Sequence, residues 1–487
     1  MRKLSLQQTT LKLYHIGTTR NNSIFLHSFY NNTQIIPKPK GDFFSSGPSA
    51  LLAQDDDSIV MFIQPPDLLP WRRKYMNNFK DVNVVEINPN RRLLRKGYPE
   101  GCIINHFFET LKTNSSLREF VQNKYFLTLF PTKELNSEAE NFGLKTIQEY
   151  DSITLNSKSI LHKQASKYGF RVSRYYLIQS ESDFEKASEY FRNVRYGCWL
   201  KAEGSGGDLV FYVKKITPDK VRANWLKLKN KVVEFFKVCR FKIDEIKNIV
   251  NPENLFPIYG LLLEEDIKEE SSDYINGAAM LSIDIDGRGK CIGIYNQDPL
   301  INPFCGTNKI EFDEKLKNIL RKYSYSIKDI YREFNLEIAK MYRYVHDMKF
   351  VGIFGVDFFF TFDLRGIKVI FTEVNARITN NSGVNIAAAI NNNSFHHMPL
   401  TIISSKPMNS IADLSEYTTF DGKNYLLEDP QELSIMPQTF SSVWSKDKSK
   451  YSLIESGNIC RILILGRDHE KIIELTRKIY NKGAKFL

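Results

Sequence analysis

The chain has 487 residues, of which 42% are apolar, 13% aromatic and 25% charged, a composition that excludes a collagen-like, a disulfide-scaffold or a wholly disordered protein. That length makes about three domains the starting expectation. Lys plus Arg number 67 against 56 Asp plus Glu, a formal charge of +11, which leaves nucleic acid, an anionic membrane and a phosphate-bearing ligand open as partner classes.

The N-terminus, Met1-Arg2-Lys3, runs into Gln7-Gln8-Thr9-Thr10 without an apolar h-region, and the longest apolar runs are shorter than a membrane span, so neither secretion nor membrane insertion is expected. The 6 cysteines are scattered with no CxxC pair. They suggest neither a zinc site nor a disulfide framework, and fit a reducing cytoplasm. From Leu51 to Pro131 the short apolar runs Ile59 to Ile63, Val82 to Ile87 and Tyr125 to Phe130 alternate with polar or helical segments. They predict a small α/β unit with a parallel sheet. Asp55-Asp56-Asp57 reads as a solvated turn.

A helix over Lys158 to Tyr168 ends at Gly169, a C-cap residue, and a strand at Tyr175 to Ile178 follows. Ser180 to Phe191 reads as a helix, then Cys198 to Ala202, Leu209 to Lys214, Leu261 to Glu265 and Ala278 to Asp284 as strands, an α+β region. Ile327, Ile330, Phe334, Ile338, Met341 and Val345 recur at spacings of three and four and predict a long amphipathic helix whose stripe is core. His396-His397 is expected on a loop and carries no metal assignment. A strand at Arg461 to Leu465, Gly466 and a helix from Asp468 to Tyr480 form a small C-terminal module.

The most informative segment is Val351 to Arg377, two β-rich runs joined at Leu364-Arg365-Gly366. A three-residue hairpin loop ending on Gly366 would pair Asp363 with Ile367 and therefore Asp357 with Glu373. Alternation along a strand then puts Glu373, Asn375 and Arg377 on one face, with Asp357 facing them. Two opposed carboxylates repel unless a cation lies between them, and magnesium takes such hard oxygen ligands. On its own this set has an ordinary alternative, a solvated hairpin face with a salt-bridged arginine. A second feature is the strand ending in Lys201, followed by Glu203-Gly204-Ser205-Gly206-Gly207-Asp208 and another strand. Neither a GK[ST] nor a following helix is present, which disfavours a P-loop and a dinucleotide fingerprint. Glycines still let backbone N-H groups approach phosphate closely. Ser205 is read as a loop residue, since no His with a partner acid accompanies it.

Taken together, from about Asn156 to Asn385, these motifs resemble the ATP-grasp family: Lys158 in Asn156-Ser157-Lys158, Lys201 before the Gly204 to Gly207 loop, the strand Leu261 to Ile267, and Glu373-Val374-Asn375-Ala376-Arg377 preceded by Gly355-Val356-Asp357. The resemblance implies ATP held between two α+β subdomains. Lys158, Lys201 and the loop Gly204, Ser205, Gly206, Gly207 would then meet phosphates, and Glu264 with the backbone at Glu265 and Ile267 would meet adenine or ribose. Asp357, Glu373 and Asn375 would hold magnesium, with manganese as a substitute, and Arg377, with Lys201, would serve catalysis. Gly355-Val356-Asp357 departs from those ligases that place an arginine just before the aspartate.

The layout is similar to amino-acid and peptide ligases with a pre-ATP-grasp domain, of the pheganomycin type. It implies an N-terminal α/β domain over residues 1–155, a two-subdomain ATP-grasp domain over 156–398 and a C-terminal module over 399–487. The implied activity is carboxylate-amine ligation through an acylphosphate, on small-molecule amino acids or peptides, with ADP and phosphate released. Neither nucleic acid nor membrane is an expected partner, and a homodimer is compatible. The alternative is a catalytically silent ATP-binding regulatory module.

Overall fold

The computed structural model describes residues 23–26, 57–62, 67, 70–71, 83–87, 103–128, 131, 133–146, 149, 152–202, 210–239, 251, 253, 256–284, 286–298, 306–309, 314–376, 396–408, 410–426, 433–441, 457–466, 468–482 and 484–485. Five short strands come first: β1 (Ser23–Leu26), β2 (Ser58–Phe62), β3 (Asn83–Ile87), β4 (Tyr125–Thr128) and β5 (Lys145–Thr146). They form the expected parallel sheet, in the order β3-β2-β1-β4-β5. Parallel neighbours need crossovers, and helix α1 (Ile103–Thr113) with α2 (Ser115–Val121) lies between β3 and β4, while α3 (Lys133–Asn141) links β4 to β5. Phe107, Phe108 and Phe126 fill the core beside Ile24, Val60 and Ile87. Asp57 is not in a solvated turn. It is fully buried, and its Oδ1 accepts the Ser23 N-H at 2.9 Å, so the carboxylate fastens β1 at its entry. Asp55 and Asp56 lie outside the described residues.

Helix α4 (Lys158–Tyr168) begins and ends where capping chemistry predicts. Ser157 Oγ accepts the Ile160 N-H at 3.1 Å, and Gly169 takes φ +75, a left-handed conformation that costs glycine little. Beyond it, β6 (Tyr175–Ile178), β7 (Cys198–Lys201), β8 (Val210–Val213) and β9 (Leu261–Glu265) form an antiparallel sheet ordered β6-β9-β7-β8. Between β6 and β7 a short 3-10 turn leads into α5 (Phe184–Tyr190), and between β8 and β9 lies α6 (Pro218–Cys239), which the sequence reading did not foresee. Cys198, Leu200, Leu261 and Leu263 pack one face of this sheet onto Phe184 and Trp225.

The third sheet contains β10 (Tyr274–Ile283), β11 (Gly289–Asp298), β12 (Gly306–Lys309), β13 (Gly352–Asp363), β14 (Gly366–Asn375) and β15 (His396–Met408). After a small separate pair, β16 (Thr419–Phe420) with β17 (Lys423–Asn424), it continues with β18 (Ser434–Ser441), β19 (Gly457–Gly466) and β20 (Ala484–Lys485). The order is β14-β13-β10-β11-β12-β15-β19-β18, with β20 on β15. Residue 398 thus lies inside β15, which pairs with β12 at His397 with Thr307 and with β19 along most of its length, so one sheet runs through that position. His396 and His397 open a strand and do not sit on a loop.

Helix α7 (Glu314–Tyr323) and the predicted amphipathic helix, α8 (Ile327–Asp347), precede β13. Ile330, Phe334, Ile338, Met341 and Val345 are all buried, in one cluster with Phe354, Phe358 and Phe360 of β13. Phe334 and Phe358 have ring centroids 5.0 Å apart. Across the sheet, Gly277 faces Phe358, where a Cβ would come within 2.5 Å of the ring. Glycine is what admits the aromatic here. α9 (His469–Asn481) is capped by Asp468, whose side chain accepts from Glu470 and Lys471.

The hairpin β13-β14 corrects one expectation and keeps another. Its turn has two residues, Leu364 and Arg365, and Asp363 pairs with Gly366 rather than Ile367. Asp363 Oδ1 accepts from both Arg365 N-H at 2.7 Å and Gly366 N-H at 3.1 Å, a side-chain turn that makes the tighter loop favourable. A bulge between Asp357 and Phe358 then inserts one residue, Thr372, and restores the pairing of Asp357 with Glu373. No described helix is long and apolar enough to cross a membrane.

Candidate active site

Helix α4 lies between the four-stranded sheet and the hairpin, and its first turn assembles the site. Just before it, Asn156 Oδ1 accepts the Ala376 N-H at 2.8 Å. Just after it, the Phe371 N-H donates to the Arg171 carbonyl at 2.9 Å. Both ends of the helix are therefore tied to β14. Lys158, at the first helical position, sends its Nζ to within 3.2 Å of Glu373 Oε1. Across the hairpin Asp357 pairs with Glu373, and Asn375 Nδ2 donates to Asp357 Oδ2 at 3.0 Å.

The second half of the site lies on the polar face of the four-stranded sheet. Trp199 and Tyr175 are the lateral partners of Glu264, and Lys201, two residues beyond Trp199, is its diagonal neighbour on the same face. Lys201 Nζ reaches Glu264 Oε1 at 3.0 Å. From α4, His162 Nε2 reaches the other oxygen, Oε2, at 3.0 Å. The two atoms face each other without the geometry of a hydrogen bond. His162 Nδ1 lies 2.9 Å from the carbonyl oxygen of Lys158, and its ring stands edge-on to Tyr175 at 5.1 Å.

Burial would push the Glu264 carboxyl up, but the Lys201 charge and the His162 contact outweigh it and hold the group down at about 2. Glu265, its neighbour, behaves in the opposite way: burial pushes its carboxyl up against the lowering effect of Arg174, whose guanidinium is 2.8 Å away. The Glu265 N-H donates to the Arg174 carbonyl, and the Ile267 carbonyl accepts from Glu270 and Ser271. Part of the backbone edge expected to meet adenine is thus engaged within the protein.

The structure therefore brings together Lys158 with Asp357, Glu373 and Asn375 on one side of α4, and Lys201 with Glu264 on the other. Gly204, Ser205, Gly206, Gly207 and Arg377 lie outside the described residues. Among the described residues, clusters of three or more His, Cys, Asp or Glu are absent. Asp357, Glu373 and Asn375 offer two opposed carboxylates and an amide oxygen, a donor chemistry that fits a hard divalent cation such as magnesium. Sequence reasoning missed His162 and assigned no role to the Asn156 side chain. The signal for His162 was present: it stands four residues after Lys158, one helical turn along the same face.

Two antiparallel-sheet units on either side of a helix that presents a lysine to one and a histidine to the other can be compared with known folds. No protein-family model matches the chain. Neither does any curated protein. Among solved structures, the biotin carboxylase of Campylobacter jejuni in its beta-gamma-ATP complex superposes with TM-score 0.51 at 12% identity, over 95% of this chain and 91% of that one. The biotin carboxylase domain of the 2-oxoglutarate carboxylase of Hydrogenobacter thermophilus, a dimer bound to MgADP, ADP and bicarbonate, gives 0.50 at 11%, over 96% and 91%. The chain has the ATP-grasp fold. In ATP-grasp terms the β6-β9 sheet and the sheet containing β13 and β14 are the two α+β subdomains, and α4 is the element that touches both. Pyruvate carboxylase of Rhizobium etli, also at TM-score 0.51 with 11% identity, is covered over 37% of its chain, so the ATP-grasp architecture here corresponds to one part of that larger enzyme.

Proposed function

We propose that this chain is an ATP-dependent ligase that joins a carboxylate to an amine, with an amino acid or peptide as substrate. One observation carries the reading: within an ATP-grasp fold, Lys158 and Lys201 are each held by a buried or half-buried carboxylate, Glu373 and Glu264, on the two sides of one helix. Those pairs keep two largely buried ammonium groups on carboxylates, one on each side of the helix. Phosphate oxygens are the ligands such groups suit. Asp357, Glu373 and Asn375 fit magnesium, which when bound supplies neutralisation of the phosphate charge.

In this reading Lys158 and Lys201 neutralise the oxygens of the transferring phosphoryl group, where charge develops. Gly204 to Gly207 cover the phosphates with backbone N-H groups. Arg377, two residues past Asn375, clamps the substrate carboxylate and then the acylphosphate, a task suited to a planar guanidinium that binds two oxygens at once. The amine then attacks the acyl carbon, phosphate leaves, and the amide forms.

The nucleotide-bound carboxylases that share the fold support ATP as the energy source. The restriction to amino acids or peptides rests on the layout of the sequence. The test is product analysis by mass spectrometry after incubation with ATP, magnesium and mixed amino acids. Amine-dependent release of ADP and phosphate together with a new amide mass is the expected result. Release of AMP and pyrophosphate would refute the acylphosphate route, and turnover dependent on bicarbonate alone would redirect the assignment to carboxylation.

A further inference from the structure

We propose that His162 is a positioning residue for nucleotide binding, which locks Glu264 to the first turn of α4 and thereby fixes the ammonium of Lys201 where it meets the nucleotide. The inference rests on the nucleotide-binding reading above and deepens it, because neither the fold nor the sequence motifs assign a role to this histidine.

Both ring nitrogens of His162 face acceptors. Nδ1 is 2.9 Å from the Lys158 carbonyl oxygen, which can only accept, so Nδ1 carries a hydrogen. Nε2 is 3.0 Å from Glu264 Oε2. Glu264 is 2% exposed and ionised, held so by Lys201 as well as by His162. Glu264 is thus contacted on both oxygens, by Lys201 Nζ on Oε1 and by His162 Nε2 on Oε2.

A buried Lys201–Glu264 pair with a histidine against it is an expensive way to stabilise a fold, since apolar residues of the same volume often do as well or better. What the trio achieves is geometry. Without His162, the Glu264 carboxylate could turn about its last bond and take Lys201 with it. With His162, one oxygen is pinned to α4 and the other is left to orient Nζ of Lys201. The same ring also grips the carbonyl of Lys158, whose own Nζ is on Glu373. Lys158 and Lys201, which sit on different elements, are therefore indexed to one another through a single imidazole. The Lys201 ammonium is suited to an anionic ligand at that point, and a nucleotide phosphate is such a ligand.

The experiment is calorimetric titration of the full chain with ADP and magnesium, for wild type, His162→Phe, His162→Gln, Lys201→Met and the double variant His162→Phe/Lys201→Met. His162→Phe keeps the volume and loses both ring nitrogens; it is expected to weaken ADP about tenfold or more, as loss of one member of a buried polar contact does. His162→Gln supplies a side-chain N-H that can turn toward Glu264 and is expected to recover binding to within about threefold of wild type. In the Lys201→Met background the effect of His162→Phe is expected to shrink to less than about twofold, because the histidine acts through that lysine. A parallel kinetic measurement should show the loss mainly in KM for ATP and not in kcat.

Wild-type binding with an unchanged affinity in His162→Phe overturns the inference while leaving nucleotide binding intact. Equal, multiplicative losses in both backgrounds also overturn it, since a merely structural role would give that pattern. Absence of ADP binding by the folded wild type overturns the nucleotide reading and this inference with it. Should His162→Phe fail to fold, the comparison of His162→Gln with and without Lys201→Met decides the matter by the same non-additivity.

Discussion

Asn156 and Ala376 stand 220 residues apart and are joined by a 2.8 Å hydrogen bond from the Ala376 N-H to the Asn156 side chain. This bond sets the start of α4 against the end of β14, and so sets Lys158 against Glu373. Replacing Asn156 by Ala would leave a buried N-H unpaired, at a cost of about 1–3 kcal/mol. A lower urea midpoint together with a loss of ATP turnover larger than that of a surface Asn→Ala control is the expected outcome. Retained turnover with lowered stability would separate the bond from the placement of Lys158.

Asp357 and Glu373 face each other across the hairpin. Asp357→Asn and Glu373→Gln keep shape and remove one negative charge each. Each is expected to lower ATP turnover by roughly a hundredfold or more, the scale of losing a group that acts on transition-state charge. Steady-state assays across magnesium concentrations check this, and circular dichroism should show the fold unchanged. A variant with turnover close to wild type would remove that carboxylate from the site.

Glu264 gives a pH dependence with a definite sign. Its carboxyl is lowered from 4.5 to about 2 in the folded protein, so the stabilisation it brings is complete above about 4.5 and fades as the pH falls toward 2. Glu264→Gln lacks that stabilisation and leaves Lys201 and His162 without their carboxylate, a loss of roughly 3–5 kcal/mol at neutral pH. The gap in urea midpoint between wild type and variant should therefore be constant from about pH 7 to pH 5 and narrow below that range. A gap that stayed constant down to about pH 3 would contradict an ionised Glu264 in the trio.

Gly277→Ala tests the packing that supports the hairpin. The new Cβ would fall 2.5 Å from the Phe358 ring, and Phe358 is wedged against Phe334 and Phe360. Overpacking of this kind costs about 1–3 kcal/mol. Chemical denaturation should show the loss, and Gly277→Ala combined with Phe358→Leu should recover part of it, since the two sites share one space.

Much of the fold was legible because it is local. The ends of α4 follow from Ser157 and Gly169, the stripe of α8 from apolar spacing, and the parallel N-terminal sheet from short apolar runs separated by helices. The pairing of Asp357 with Glu373 was legible too, although by a route that the structure corrects. The turn is one residue shorter than expected, because Asp363 closes it with its side chain, and the bulge at Thr372 returns the register. A register read from loop length alone cannot foresee two changes that cancel.

Residue order along the chain determined which side chains carry charge, which elements present them and, within one hairpin, which carboxylates oppose. The tertiary structure alone decided that Lys158 rests on Glu373, that Lys201 shares Glu264 with His162, and that the buried Asp57 carboxylate accepts the Ser23 N-H. The physical reason is that apolar periodicity encodes how deeply a residue is buried, whereas an ion pair between distant segments depends on where whole elements dock. A lysine and a glutamate can pair with many partners. Packing of α4 between two sheets selects one.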